Sequence, residues 1–246
     1  MATELEIGEA VVKGYPPAIL YLRNDDIVTT ELCAFNYFST FFKGEPEAEA
    51  HVWLFDGNGD AAGYFQKDLS LDGQMQLNTS ELCPNISGSV AVTLLPKSGA
   101  KIRPGKKITT GYYAQYYSGN GAITLSHERE EVTSAPFSTP PWIQTYLTRL
   151  LDQSGTVLVN ACLASNGEAT GKARIVALDG SILAERDLPK ISPMGARRLK
   201  TMELFPRAKQ LVGPAESFAL ELSGVNMASP FSFYEFPNGK FSLHHF

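Results

Sequence analysis

The chain has 246 residues, of which 43% are hydrophobic, and a formal net charge of −5. That composition is ordinary for a globular protein, and the negative charge argues against a general affinity for nucleic acid. No apolar run approaches the roughly 20 residues needed to cross a bilayer, and the acidic start, Met1 to Glu9, lacks the pattern of a secretory signal, so a cytoplasmic location without membrane insertion is expected.

Residues 1 to 14 read as a polar lead, broken by Gly14-Tyr15-Pro16-Pro17. Strands are then expected from the β-branched, aromatic and alternating runs at 27–38, 47–55, 63–69, 75–82, 89–95, 108–117 and 122–127. In 47–55, Ala50, Val52 and Leu54 face one way and His51, Trp53 and Phe55 the other. Both sets are largely apolar, as in a strand covered on both sides. Ser134-Ala-Pro-Phe-Ser-Thr-Pro-Pro141 reads as a stiff linker. From Trp142 to Leu151 the apolar residues recur at helical spacing, with Thr139 as candidate N-cap and Gly155 as stop. Strands return at 156–163, 172–178, 182–188, 197–205, 218–222, 228–236 and 240–245.

The second list repeats the first. Pro16-Pro17 matches Pro140-Pro141, Asn36 matches Asn160, and Asp56-Gly57 matches Asp179-Gly180. Leu77-Asn-Thr matches Leu199-Lys-Thr, and Asn120-Gly121 matches Asn238-Gly239. Five matches in one order at a nearly constant offset mark an internal duplication. Each copy is long enough for its own core. The expected fold is all-β: two tandem antiparallel β-sandwich domains with one short helix at the start of the second. The domains are 1–133 and 142–246, joined by the linker 134–141.

Candidate sites are few. Asp56-Gly-Asn58-Gly-Asp60 begins like a calcium loop, but Ala61 and Lys67 stand where glycine and glutamate are needed, so a hairpin turn is expected. Cys33, Cys83 and Cys162 show no ligand spacing and read as buried free thiols. A two-residue turn at each Asn-Gly would pair Tyr116 with Leu125 and Ala114 with His127, then Tyr234 with Leu243 and Ser232 with His245. Tyr, Leu and His would then share a face in both copies. Such a face is a core surface with its histidine at the rim, or else a repeated ligand pocket in which Tyr116, His127, Tyr234 and His245 bind. The basic stretch Lys97 to Lys107 reads as a solvated hairpin extension. Glu81 and Glu203 are the paired acids that an enzyme would use, and strand-end surface charge is the simpler reading. No cofactor or metal is expected.

The first copy resembles the sensory rhodopsin transducer family of small bacterial β-sandwich proteins. The likeness rests on Gly14-Tyr15-Pro16-Pro17, on Thr30-Glu-Leu-Cys33-Ala-Phe-Asn36, and on Glu49-Ala-His51-Val52 leading into a strand and an Asp-Gly turn. The resemblance implies a non-enzymatic binding or adaptor protein that self-associates, here as a dimer, and holds a protein partner, a small molecule or a sugar. The other readings are a carbohydrate-active or metal-dependent enzyme on a sandwich scaffold, and a purely structural self-associating subunit.

Overall fold

The computed structural model describes residues 5–38, 47–70, 73–97, 112–119, 121, 123–127 and 130–244. A short helix α1 (Ile7–Val12) precedes β1 (Ala18–Asn24), β2 (Val28–Phe35), β3 (Ala48–Asp56), β4 (Ala61–Leu69), β5 (Gln74–Asn78), β6 (Ile86–Pro96), β7 (Tyr112–Ser118) and β8 (Ile123–His127). A two-residue β9 (Glu130–Glu131) pairs with β1. The second half holds β10 (Ser138–Leu147), β11 (Ser154–Val159), β12 (Thr170–Val176), β13 (Ile182–Asp187) and β14 (Ala196–Lys200). Two short helices follow, α2 (Thr201–Leu204) and α3 (Ala208–Val212), then β15 (Ser217–Val225), β16 (Phe231–Glu235) and β17 (Phe241–His244).

The strands form four antiparallel sheets, and their order repeats. Sheet I runs β4-β3-β6-β1-β9 and sheet II runs β5-β2-β7-β8. Sheet III runs β13-β12-β15-β10 and sheet IV runs β14-β11-β16-β17. Replacing each strand of the first half by its counterpart in the second converts sheet I, without β9, into sheet III and sheet II into sheet IV. The fold is all-β. Asn36 and Asn160 do the same work in both halves. Each side-chain oxygen accepts the N–H two residues on, from Phe38 or Cys162. Each amide donates to a distant carbonyl, Ser70 O at 2.8 Å or Ile191 O at 3.0 Å. Satisfying buried backbone groups in this way locks the bend after β2 and after β11.

Four expectations from the sequence are corrected. First, Trp142 to Leu147 is strand, not helix: β10 pairs with β15 from Ser138↔Val225 to Leu147↔Ser217. Gln144 and Tyr146 point inward while Ile143, Thr145 and Leu147 are exposed. Apolar residues on both faces imitated a helical spacing. Proline cannot donate to a ladder, and Pro140-Pro141 fall where the register shifts between Thr139 and Trp142. Second, the last four residues of the expected linker lie in β10. Third, the strands expected at 75–82 and 197–205 stop early. A 3-10 turn follows at Thr79–Glu81, and α2 follows at Thr201–Leu204.

The fourth correction is a register. Tyr113 pairs with His127 and Tyr116 with Thr124. In the second half Ser232 pairs with His244 and Tyr234 with Ser242. The loops carry three residues, not two. Phe236 N–H bonds Lys240 O, and Gly239 takes φ +77° with its N–H on Phe236 O. Gly121 takes φ +82° with its N–H on Ser118 O. This is the bulged hairpin that needs glycine at its third position. One extra residue flips every following side chain to the other face.

The same geometry re-aligns the first hairpin of each copy. Gly59 (φ +84°) and Gly180 (φ +86°) hold equivalent left-handed positions, closing bonds to Asp56 O and Ala177 O. Asn58-Gly59, rather than Asp56-Gly57, therefore corresponds to Asp179-Gly180.

The halves are stacked, not merely tethered. Leu32, Ala34, Val52, Leu54, Val90 and Val92 fill the first sandwich. Tyr146, Leu158, Ile175, Phe218, Leu220 and Leu222 fill the second. The opposite face of sheet IV, with Val157, Val159, Phe231, Phe233, Phe241 and Leu243, joins the core of the first half. It packs on the outer face of sheet I, where Ser89 Oγ bonds Met194 O. The Asp56 turn closes one end of this joint: Gly57 O accepts from Ala196 N and Arg197 Nη1, and Asn58 Oδ1 accepts from Arg197 Nη2.

Candidate functional site

Tyr116 and His127, expected to share a face, lie on opposite faces of sheet II. Tyr116 is 1% exposed, stacks on Tyr21 at 6.2 Å, and donates its hydroxyl to Tyr21 O at 2.8 Å. Burial raises its pKa well above the usual value, so it stays protonated. His127 lies across from Tyr113 on the other, outer face of sheet II. Tyr234 packs edge-on against Tyr146 at 5.8 Å inside the second half. His245 lies outside the described residues, as does the basic stretch beyond Lys97. His244 bonds Ser242 Oγ at 2.6 Å. Cys83 and Cys162 are buried, whereas Cys33 is partly exposed on the outer face of sheet II. Glu81 Oε1 accepts from Asn78 Nδ2 and Glu203 Oε2 from Lys200 N, so each acid caps its own turn.

A different cluster is assembled on the outer face of sheet I, where α1 covers β3 and β4. Alternation along β3 brings Glu49, His51 and Trp53 to this face, and Tyr64 and Gln66 on β4 lie directly across from Trp53 and His51. His51 Nδ1 and Tyr64 OH are 2.8 Å apart. Trp53 Nε1 donates to Leu5 O at 2.9 Å, tying down the segment before α1. The His51 and Trp53 rings stack at 5.9 Å. Glu49 Oε1 accepts from Gln66 Nε2 at 3.2 Å, while Oε2 lies 3.4 Å from His51 Nε2 without hydrogen-bond geometry. Burial lowers the pKa of His51, outweighing the Glu49 carboxylate, and nearby Lys13 adds to the shift. The imidazole is therefore neutral near pH 7.

Glu49 opens onto a cleft of about 580 Å³ lined with Lys13, Tyr15, Leu95, Pro96 and Lys97. Lys97 holds Asp68 at 2.7 Å and Glu47 at 3.9 Å. The arrangement is a carboxylate acceptor braced from behind by Gln66, with the neutral His51 ring beside it and two ammonium groups at its sides. It can receive hydroxyl or amine donors and offset an acid on the same molecule. On the other side of α1, an apolar cleft of about 550 Å³ lies between Gly8, Glu9, Val12 and Lys13 and the second half's Leu163 and Ala164. Among the described residues, no group of three or more His, Cys, Asp and Glu is placed to hold a metal ion. Compared with known proteins, the sequence matches no family model and no curated relative.

A second polar feature joins the halves. Arg23 is 1% exposed. It bonds Asp25 at 2.6 Å and, across the joint, Glu235 at 2.8 Å, and it lies 4.8 Å over the Phe241 ring. Arg198 also holds Glu235. Burial alone would raise the Glu235 carboxyl, but the two guanidinium groups keep it below the usual range. Its partners are all internal, so it reads as a fastening. The alternation that puts His51, Trp53 and Phe55 on one face was visible in the sequence, and Glu49 continues it. The neighbours from β4 and α1 were not, because only the pairing register supplies them.

Proposed function

We propose that the protein is a non-enzymatic binding protein, an adaptor of the sensory rhodopsin transducer type, that holds a small polar molecule in the cleft at Glu49. The observation that carries this reading is the braced Glu49 carboxylate at the cleft, between Lys13 and Lys97. A pre-oriented acceptor lowers the ordering cost of binding, and sugars and small hydroxy or amino acids offer matching donors. The described chain has no helix long and apolar enough to cross a membrane, and a cytoplasmic setting belongs to the proposal.

A panel of sugars and small hydroxy and amino acids, screened by thermal unfolding, tests it. A ligand at a hundred times its Kd adds about 2.7 kcal/mol to stability, and Glu49→Ala should abolish that gain while leaving the unliganded midpoint nearly unchanged. If no member of the panel raises the midpoint, or if the gain survives in Glu49→Ala, the reading is wrong.

A further inference from the structure

The two sandwiches are stacked front to back. Sheet IV docks its outer face on sheet I, so two equivalent faces are left over at the ends of the stack. One is the outer face of sheet II, the counterpart of the docking face of sheet IV. The other is the outer face of sheet III, the counterpart of the receiving face of sheet I. The registers allow position-by-position comparison.

The receiving face has been rewritten in the second half. A row across sheet I reads Tyr64, Trp53, Ala91, Ile19. The same row across sheet III reads Glu185, Arg174, Glu221, Ile143. Arg174 pairs with Glu185 at 2.6 Å and with Glu221 at 2.9 Å, and Lys172 also holds Glu185. A charged ladder has replaced a row that is aromatic under α1, at Tyr64 and Trp53, and aliphatic toward sheet IV, at Ala91 and Ile19. Docking an apolar sheet on it would desolvate four charges.

The docking face has not been rewritten in the same way. Phe241 and Leu243 of sheet IV are 3% and 1% exposed, and their counterparts in sheet II, Ile123 and Leu125, are 59% and 57% exposed. Val159 is buried at 1%, while its counterpart Phe35 is 45% exposed. Tyr113 and Tyr117 share this outer face with them, with Gln76 and Gln115 between. Among the described residues, its ionisable groups other than tyrosine and Cys33 are Glu31, which accepts from Gln76 Nε2 and Tyr117 OH, and His127. As described, the face is broad, apolar and nearly free of charged residues, and its edge strand β8 runs beside β17, continuous with the joint already built.

We propose that the outer face of sheet II is a homodimer interface, on which a second copy of this chain docks the same face about a two-fold axis. A near-neutral face meets itself without like-charge repulsion, and a two-fold contact closes. The front-to-back alternative, sheet II on sheet III of the next chain, would propagate into a filament, and the ion-pair ladder opposes it. This inference is independent of the ligand proposed at Glu49.

The test is light scattering on the eluting full-length chain over a wide dilution series. The expected species has twice the monomer mass of 26.8 kDa and a fixed size. Leu125→Glu and Ile123→Lys, each at an exposed position, should give monomers that keep the wild-type circular dichroism spectrum and unfold cooperatively. Ile143→Glu, on the outer face of sheet III, should leave the dimer intact. A monomeric wild type at every concentration overturns the proposal and leaves the face to a different partner. So does a series of ever larger species, or a dimer that Ile143→Glu dissociates and Leu125→Glu does not.

Discussion

Arg23 concentrates the physics of the joint in one side chain. Its guanidinium is almost fully buried and depends on Glu235 from the other half. Removing one partner of a buried pair strands a charge, which costs about 3 to 5 kcal/mol, whereas an apolar replacement of both is far milder. Glu235→Ala leaves Arg23 with Asp25 alone and should lower stability by the low end of that range, about 3 kcal/mol. Arg23→Leu combined with Glu235→Leu should cost less than that single change. Urea unfolding of the three proteins checks it, and a double variant worse than the single would contradict the assignment. His51 and His244 carry a second residue-scale effect. Burial holds both below the ordinary value of 6.5, so below about pH 6.5 the unfolded chain binds protons that the folded chain does not. Their contribution is present above that pH and is lost as pH falls. Glu235 and Asp25, held below 4.5 and 3.8, contribute only above those values and fail at lower pH. The unfolding midpoint should be level above about pH 6.5 and decline toward about pH 5. His51→Gln with His244→Gln should flatten that decline. An unchanged slope would assign it elsewhere.

Among the elements, the two hairpin turns offer a comparison that the duplication makes clean. Gly59 and Gly180 share a left-handed conformation, and alanine there costs about 1 to 2 kcal/mol in either copy. The surroundings differ. A Cβ on Gly180 meets open space, but one on Gly59 overlaps the Pro193 carbonyl oxygen across the joint. Gly59→Ala should thus lose clearly more stability than Gly180→Ala, and equal losses in denaturant titrations would mean that the turn is not seated on the second half. The hairpins also explain why Tyr116 and His127 do not share the predicted face. The dipeptides Asn120-Gly121 and Asn238-Gly239 marked turns correctly, but loop length is set by how the flanking strands meet. One residue of difference sent Tyr116 inward and His127 outward.

At the level of the whole molecule, sheet IV is a core layer only because sheet I covers it. Val157, Val159, Phe231, Phe233, Phe241 and Leu243 are each at most 3% exposed, and burying such side chains contributes about 1.5 to 3 kcal/mol apiece. The two halves should therefore unfold in one transition, with equal calorimetric and van't Hoff enthalpies. Two separated transitions would show that the halves are independent domains on a stiff linker. The excised second half would expose that face and should aggregate.

The sequence by itself determined the β class, the positions of most strands and the duplication, because alternation, turn residues and repeated landmarks such as Asn36 and Asn160 are local signals. It also placed His51, Trp53 and Phe55 on one face. It misjudged Trp142 to Leu147, where apolar residues on both faces of an edge strand copy a helical spacing. Only the tertiary structure decided the hairpin registers, the stacking of sheet IV on sheet I, and the meeting of Glu49 with Gln66, Lys13 and Lys97. Those contacts join residues far apart in the chain. Their geometry depends on packing that no local pattern records.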